Sequence, residues 1–403
     1  MDSLTLWIIA IIIVLILFYV LRHILKIVII IALVIFAATF VIDKLTIKPA
    51  YHPAELDFIK LPLGFKITTF ADNLGGSSVS LPGPNPGPRL MTFHDDTVYV
   101  ALPSQGKIIA LEDKDQDGNV ETQKTFIEGL SKPHSIDFYQ DAAYIAEEDK
   151  ITKVKDLDHD NKAEIETKET LLMLPSGSHW TKTVHIFNGQ LYITSGSSCN
   201  ACAETDKMRA ALTSCDLQGK NCITYASGLR NTVDFIQHNG IIYGTDNGRD
   251  LLGNNLPPDE INILKEGKNY GWPTCFGNKI HDTDYDKNTY IRDPCLDTEA
   301  PLVELPSHVA PLGLTIYDGT TFPSDYKGNM FIAYHGSWNS EQPVGYKIVA
   351  VDLKEKKIRD FATGWLDERT VKGRPVGIIN FRNGLLISDD NAGKIYKIMY
   401  DND

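Results

Sequence analysis

A short apolar strand recurs six times along the chain, and this recurrence restricts the fold more than any other feature. Most copies follow a turn rich in Gly, Asp or Asn. The copies are TVYVA at Thr97, AAYIA at Ala142, QLYIT at Gln190, IIYGT at Ile241, NMFIA at Asn329 and LLISD at Leu385. Their spacing is 45 to 56 residues, with one interval of 88. Short strands at this period are typical of a β-propeller, and six copies predict six blades.

Further strands follow several copies after another turn, as in GKIIALED and YKIVAVDL. No convincing amphipathic helix follows residue 45. One blade cannot bury both of its faces, so the units must stack around an axis. We therefore predict an all-β, six-bladed β-propeller over residues 45–403, with a β-sandwich or two small β domains as the alternative.

The first 44 residues predict a membrane anchor. Residues 4–21 and 27–42 are almost purely apolar, and RHILK lies between them. A single helix over 4–42 would be roughly 58 Å long, against a hydrocarbon core of about 30 Å. Two short transmembrane helices joined by a basic turn fit better, and one span at 27–42 is the alternative. Both place the propeller in the extracytoplasmic (periplasmic) space, on the positive-inside rule.

The six cysteines all follow the anchor, which favours an oxidising compartment. Cys275 and Cys295 bracket a polar loop, while Cys215 and Cys222 flank a hairpin-like turn. Cys199 and Cys202 form C-N-A-C, where the next residue is not the His that haem attachment requires. Disulfides are favoured, and a zinc site formed by the four cysteines between 199 and 222 is the alternative.

Basic and imidazole side chains stand just before the predicted innermost strands. They are Arg89, His134, His179, Arg230 (with Asn231), His308 and Arg374. The chain as a whole carries a net charge of −13, which argues against nucleic-acid binding. Cations gathered at one point of an acidic protein predict a site for a compact polyanion, because arginine forks suit carboxylates. The alternative is that each pairs with a neighbouring acid.

Calcium is suggested by three stretches. Asp246 and Asn247, with the Gly248–Arg249 backbone, offer oxygen atoms of the kind a hard cation prefers. The loops DKDQDGNVE (113–121) and DLDHDNKAE (156–164) alternate carboxylates, but neither has a Glu at loop position twelve. We interpret these two loops as turns, with weak calcium sites as the alternative.

Together these strings resemble the pyrroloquinoline-quinone-dependent glucose/sorbosone dehydrogenases, and the sorbosone-dehydrogenase-like branch more than the glucose-specific one. The resemblance covers residues 55–400, and its order and spacing are specific. The segments that carry it are PHSIDF, SHWTKTVHIFNGQLYITSGSSCNACAE, YASGLRNTVDF, DNGRDLLGNNLPPDEIN, NYGWP, VAPLGLTIYDG and GRPVGIINFRNGLLISDD.

The resemblance implies a six-bladed propeller that oxidises sugars with a planar tricarboxylate quinone. It implies that His179 is the general base, that Arg230 balances charge in catalysis and contacts the cofactor with Asn231, and that Arg374 binds a cofactor carboxylate. It also implies that the carbonyls of Gly248 and Arg249 hold calcium. Arg89, His134 and His308 complete the expected cofactor site, and Asp246 the expected metal site.

The expected protein is thus a membrane-anchored quinoprotein that oxidises an aldose or related sugar and passes electrons to membrane quinone or a cytochrome. Two other functions stay open on the sequence. One is a calcium-dependent lactonase on a propeller, which would need carboxylates around an axial ion. The other is a non-catalytic propeller that binds glycan or protein.

Overall fold

The computed structural model describes Arg22, residues 56–75 and residues 86–401. The chain divides into two units, Met1–Glu55 and Leu56–Asp403. The predicted anchor (residues 1–44) lies outside the described residues except for Arg22, so it stays a prediction. Within the part that is described, no helix combines the length and the apolar character needed to cross a bilayer.

In its described residues, the second unit contains six sheets of four or five strands, numbered here as blades 1 to 6, and two small two-stranded sheets. Its first strand, β1 (Phe65–Ala71), belongs to the last blade. The strands of blades 1 to 3 are β2 (Met91–His94), β3 (Thr97–Leu102), β4 (Lys107–Glu112), β5 (Thr122–Ile127), β6 (Ser135–Tyr139), β7 (Ala142–Ala146), β8 (Lys150–Lys155), β9 (Glu169–Met173), β10 (Lys182–Phe187), β11 (Gln190–Ser195), β12 (Ala211–Asp216) and β13 (Ile223–Ser227).

Blade 4 contains an insertion between its third and fourth strands. Its strands are β14 (Thr232–His238), β15 (Ile241–Asp246), β16 (Asp259–Leu264) and β20 (Val303–Leu305), and the insertion holds β17 (Lys268–Asn269), β18 (Cys275–Phe276) and β19 (Ile280–His281). The short strand β17 pairs with β13 of blade 3, and the Cys275–Cys295 disulfide closes the insertion. The long interval in the sequence repeat is this insertion.

Blades 5 and 6 complete the ring. Their strands are β21 (Pro311–Ile316), β22 (Met330–Tyr334), β23 (Lys347–Asp352), β24 (Lys357–Ala362), β27 (Pro375–Phe381), β28 (Gly384–Asp389) and β29 (Lys394–Tyr400), with the hairpin β25 (Leu366–Asp367) and β26 (Thr370–Val371) between them. The strand β1 pairs antiparallel with β29 as the outer strand of blade 6. The propeller is therefore closed by strands from both ends of the unit, which the sequence repeat does not reveal.

The six-bladed propeller is confirmed. The first strand of each blade contacts the first strand of the next, and β27 contacts β2. Side-chain hydrogen bonds join neighbouring blades near the axis, such as Thr183 Oγ1 to the Val233 carbonyl and Ser388 Oγ to the Arg89 carbonyl. They satisfy polar groups that no strand ladder reaches, which keeps the blade boundaries dry.

The recurring strands of the sequence are the second strands of the blades. β3, β7, β22 and β28 are buried along their whole length because a neighbouring blade covers each face. This is why they are apolar without the alternation of a half-exposed strand. Six apolar clusters lie between successive blades and form the core.

Candidate active site

His179 lies in the connection between β9 and β10, with its ring held from one side. Its Nδ1 is 2.9 Å from the Ser197 carbonyl oxygen and 3.0 Å from Ser197 Oγ. Since Ser197 Oγ donates its own hydrogen to the Cys199 carbonyl (2.6 Å), both Ser197 atoms act as acceptors here. Nδ1 therefore carries the proton and Nε2 keeps its lone pair. Among the described residues, Nε2 has no hydrogen-bond partner.

The surroundings of His179 keep it neutral. Burial lowers its pKa to about 4, and the nearby positive charge of Arg230 acts in the same direction. The Ser197 carbonyl and Asp250 oppose this shift without reversing it. His179 is thus a neutral imidazole with a free nitrogen at neutral pH, which is the form that a general base requires.

Asn231 lies against His179 across Gly196. A Cβ on Gly196 would stand 2.4 Å from Asn231 Oδ1 and 2.6 Å from His179 Cβ, so only glycine permits this approach. Asn231 Oδ1 is buried and has no hydrogen-bond partner among the described residues. A buried, unsatisfied amide oxygen is costly, and it marks a place where a ligand can complete the hydrogen bond.

Arg230 uses all five of its N–H donors within the protein. Nε donates to the Asn200 carbonyl (3.1 Å), and Nη1 donates to the carbonyls of Asn247 (3.2 Å) and Gly248 (2.7 Å). Nη2 donates to Asn200 Oδ1 (3.0 Å) and pairs with Asp250 (2.8 Å). No donor is left for a cofactor, so Arg230 acts on its surroundings through its charge and by joining two loops.

The residues expected to hold calcium are engaged by the protein itself. Asp246 accepts from the backbone N–H groups of Arg230 and Asn231 and from Thr232 Oγ1, which occupies both of its carboxylate oxygens. Burial raises the pKa of Asp246 to about 6. The Gly248 carbonyl is shared with Arg230, as described above. The Arg249 carbonyl accepts no hydrogen bond within the described residues.

A second group of charges surrounds Arg89. Its Nη1 pairs with Asp390 (2.7 Å) and its Nη2 is 3.2 Å from His134 Nε2. The ring of Trp180 lies 5.7 Å from the Arg89 guanidinium and meets the His134 ring edge-on. Arg89 Nε is buried without a partner in the described part of the chain. His179 and Trp180 are consecutive, so this turn connects the two groups of polar residues.

The histidines near Arg89 are neutral. Burial lowers the pKa of His134 well below its usual value, and the Arg89 charge adds to the effect. Burial lowers the pKa of His335 to about 4, with Arg374 as the next cause. Asp390 is the shared carboxylate here, because His335 Nε2 is 2.9 Å from its Oδ1 while Arg89 binds Oδ2.

Arg374 is the least compensated cation of the site. Its Nε and Nη2 donate to the carbonyls of His335 (3.1 Å) and Gly336 (2.5 Å), and its guanidinium lies 5.4 Å from the Tyr346 ring. No carboxylate among the described residues forms a salt bridge with it. Its charge also lowers the pKa of Arg89, although burial is the larger cause. Arg374 therefore offers an uncompensated positive charge.

The basic and imidazole side chains that precede the first strands, here called the rim, are only partly brought together. Arg89 pairs with Asp390 and Arg230 with Asp250, so two of the three arginines have internal counter-charges. His308 Nε2 is 2.7 Å from the Gly253 carbonyl oxygen, and the hydrogen bonds of its side chain within the described residues include no other predicted cofactor residue. The rim is thus less positive than the sequence suggests, because Asp390 and Asp250, which follow second strands, neutralise two of its arginines.

Disulfides, which the sequence favours, are confirmed, and the structure gives their pairing: Cys199–Cys202, Cys215–Cys222 and Cys275–Cys295. The zinc alternative is therefore excluded for these cysteines. In the two Asp-rich loops, carboxylate oxygens gather within 4.8 Å of one another, but the loops lie away from His179 and hold their own backbone N–H groups. Those contacts are what the interpretation as turns requires.

Comparison with known proteins gives the chain its family. The family model described as TrAA12-like matches residues 86–400, which is most of the chain. The chain belongs to the TrAA12-like family. An uncharacterized protein of Borreliella burgdorferi is 31% identical over 385 residues, covering 90% of this chain and 95% of that protein.

A further relative carries an assigned name. The pyrroloquinoline quinone-dependent pyranose dehydrogenase of Coprinopsis cinerea is 23% identical over 381 residues, covering 74% of this chain. The match spans about half (51%) of that enzyme. The holo structure of its PQQ domain superposes with a TM-score of 0.70 at 20% identity, covering 85% of this chain and 97% of that one.

A structural neighbour with a lower TM-score is the soluble aldose sugar dehydrogenase of Escherichia coli in its apo form. It has a TM-score of 0.58 at 16% identity, and the match covers 83% of this chain and 99% of that chain. At such identities, these structures show the shared fold. The resemblance that the sequence motifs predicted is thereby confirmed.

Several residues of the candidate site were not predicted from the sequence. Ser197 orients His179, Asn200 and Asp250 bind Arg230, and Asp390 joins Arg89 to His335. They stand in loops after second strands, whereas the predicted cofactor residues precede first strands. The C-N-A-C spacing was the one available signal, since it marks the loop around Asn200 as constrained.

Proposed function

We propose that this protein is a sugar dehydrogenase that uses pyrroloquinoline quinone to oxidise an aldose or related sugar. The observation that carries the proposal is His179, which is neutral, fixed in one tautomer by Ser197, and free at Nε2. The named relatives support the reaction class, since the Coprinopsis enzyme is a quinone-dependent pyranose dehydrogenase.

The residues around His179 fit a planar, anionic quinone. Arg374 supplies an uncompensated charge for a carboxylate, and the orphaned Arg89 Nε and Asn231 Oδ1 supply a donor and an acceptor. Trp180 presents an aromatic surface next to Arg89. These four residues would hold the cofactor. His134 acts indirectly, because it supports Arg89, and His308 takes no part.

In the reaction, His179 Nε2 takes the proton of the sugar hydroxyl while the carbon-bound hydrogen leaves as hydride. The quinone, when bound, supplies the two-electron acceptor for that hydride. Ser197 keeps the Nδ1 proton in place and thereby holds the ring in its orientation. Burial and the nearby charge of Arg230 lower the pKa of His179, which favours loss of the acquired proton after the reaction. The products are a lactone or carbonyl compound and a reduced acceptor.

Calcium is part of the proposal through the carbonyls of Gly248 and Arg249. A carbonyl oxygen has two lone pairs, so Gly248 can accept from Arg230 and still face a cation. The metal would polarise the quinone as a Lewis acid. The proposal predicts that chelation weakens quinone binding by tenfold or more. A quinone affinity that does not change on chelation would remove calcium from the account.

The geometry does not favour the lactonase alternative. Such an enzyme needs several carboxylates around one ion, and in the described residues the metal-capable clusters are Asp113/Asp115/Asp117/Glu121, Asp156/Asp158/Glu164 and the disulfide pair with Glu204. None of these clusters includes His179, Asn231, Arg89 or Arg374. In the axial channel, Asp137 and Asp234 are occupied by His185.

We further propose that residues 1–44 anchor the enzyme in a membrane, with the propeller in the extracytoplasmic space and membrane quinone or a cytochrome as the electron acceptor. The apolar sequence of the anchor supports the first part, and the three disulfides suit an oxidising compartment. Protease digestion of intact spheroplasts tests this. Protection of the propeller from added protease would contradict it.

The function is tested by loading the purified chain with the quinone and calcium and measuring dye reduction over a panel of aldoses. We expect His179→Ala to lower kcat at least 100-fold while the Kd for the quinone changes by less than threefold, because His179 supplies a base and no charge. His238→Ala is the matched control and should retain activity, because His238 is at the end of β14 that is far from Asn231. Full activity of His179→Ala would refute the assignment.

A further inference from the structure

The Cys199–Cys202 disulfide closes a short loop, and Asn200 inside this loop forms hydrogen bonds to several residues of the candidate site. Asn200 accepts from Arg230 at its carbonyl (3.1 Å) and at Oδ1 (3.0 Å). Its Oδ1 also accepts from the Asp250 N–H (2.7 Å), and its Nδ2 donates to the Asp250 carbonyl (2.9 Å). Trp272 Nε1 donates to the same Asn200 carbonyl (3.2 Å). One residue inside a four-residue ring thus joins Arg230, Asp250 and Trp272.

The loop closed by the Cys199–Cys202 disulfide also fixes the orientation of the His179 imidazole. Ser197 Oγ donates to the Cys199 carbonyl, and this bond turns the lone pair of Ser197 Oγ towards His179 Nδ1. The Ser197 N–H donates to the Arg230 carbonyl (2.8 Å). The loop that contains the disulfide is therefore the support for the base and for the arginine together.

We propose that the Cys199–Cys202 disulfide is a positioning device for the site, and that its reduction by a dithiol inactivates the enzyme while the propeller stays folded. The loss of activity rests on the proposed function, whereas the loss of loop order does not. The segment 196–210 belongs to no strand, since β11 ends at Ser195 and β12 begins at Ala211. Releasing it breaks no blade. The loop closed by the disulfide is short, so opening it should change the structure only locally.

The disulfide is open to a reductant. Cys199 and Cys202 are both half-buried, whereas Cys275 and Cys295 are 3% and 0% exposed. A thiolate of the dithiol attacks one sulfur and the other cysteine leaves as a thiolate. The second thiol of the reductant then displaces the first cysteine from the mixed disulfide. The products are two cysteine thiols and the oxidised dithiol, so two electrons and two protons are transferred.

The test compares Cys199→Ser/Cys202→Ser with Cys215→Ser/Cys222→Ser, which removes the hairpin disulfide between β12 and β13. Hydrogen exchange is measured by mass spectrometry with and without a dithiol, and kcat and KM are measured on quinone-loaded protein. We expect faster exchange in residues 196–204 and 229–250 of the first variant, without added dithiol, and a kcat at least tenfold lower. The second variant should match the native chain in both measurements.

Treatment with a dithiol, which is removed before the quinone is added because thiols reduce quinones, should reproduce the first variant in the native chain and in the second variant, and reoxidation should restore both. Unchanged exchange in residues 196–204 and 229–250 of the first variant would overturn the inference. Faster exchange with full activity would refute the positioning of catalytic groups. If no preparation oxidises sugar but the exchange changes as stated, the proposed function fails and the structural part of the inference stands.

Discussion

At the scale of single residues, Lys182 holds the turn that carries His179. Its side chain is fully buried, and its Nζ donates to the carbonyls of His179 (3.0 Å), Trp180 (3.4 Å) and Thr181 (3.5 Å). No described carboxylate forms a salt bridge with it. Burial lowers its pKa to about 8, and the charge of Arg209 adds to the effect. The turn is therefore held by a buried ammonium group that is hydrogen-bonded to three carbonyls, while the more distant charge of Glu148 opposes the lowering of its pKa.

Replacing Lys182 tests whether this turn matters for catalysis. We expect Lys182→Met to lower kcat about tenfold, because three carbonyls lose their donor and His179 is no longer held, at about 1–3 kcal/mol for each unsatisfied group. The exposed Lys327→Met serves as the control. A kcat within twofold of the native value, with the quinone bound, would show that the turn needs no such support.

At the scale of strands, His185 joins three blades at the axis. It lies on β10, with Nδ1 3.4 Å from Asp137 of β6 and Nε2 3.1 Å from Asp234 of β14. Burial opposes its charge, but the two carboxylates outweigh burial and raise the pKa of His185 to about 10. The channel next to it forms a cavity of about 80 Å³. The imidazolium therefore links blades 2, 3 and 4 by charge.

This link predicts a pH-dependent stability. Since the folded state raises the pKa of His185 from 6.5 to about 10, its contribution is fully present below pH 6.5 and is lost as the pH rises through about 10. We expect His185→Asn to lower the denaturation midpoint clearly at pH 6, with a difference from the native chain that shrinks towards pH 10. The control is His238→Asn. A difference that is constant over this range would contradict the charged link.

At the scale of the whole molecule, the sequence predicts the ring but not its closure. The six second strands are recognisable because burial on both faces makes most of their residues apolar. The strand β1 is not, since FKITTFA carries no copy of the repeat and joins blade 6 from about 300 residues away in sequence. Its placement depends on a contact that no local pattern records.

The candidate site, like the fold, can be predicted from the sequence only where a local pattern marks its residues. His179 and Asn231 precede first strands, so the repeat locates them, and the structure brings them together across Gly196. The acids that neutralise the arginines do not follow from the repeat, because Asp390 meets Arg89 from 301 positions away. The sequence therefore overstates the positive charge of the rim, whereas the repeat suffices to select His179 and Asn231, which the structure brings together.

The most direct test of the central claim is a single-turnover measurement. The chain is loaded with one equivalent of pyrroloquinoline quinone, freed of unbound cofactor, and mixed with an aldose in a stopped-flow spectrometer without any other acceptor. The account predicts that about one quinone per chain is reduced, and that His179→Ala reduces none over the same time. A chain that retains no quinone, or a bound quinone whose spectrum no aldose changes, would contradict it.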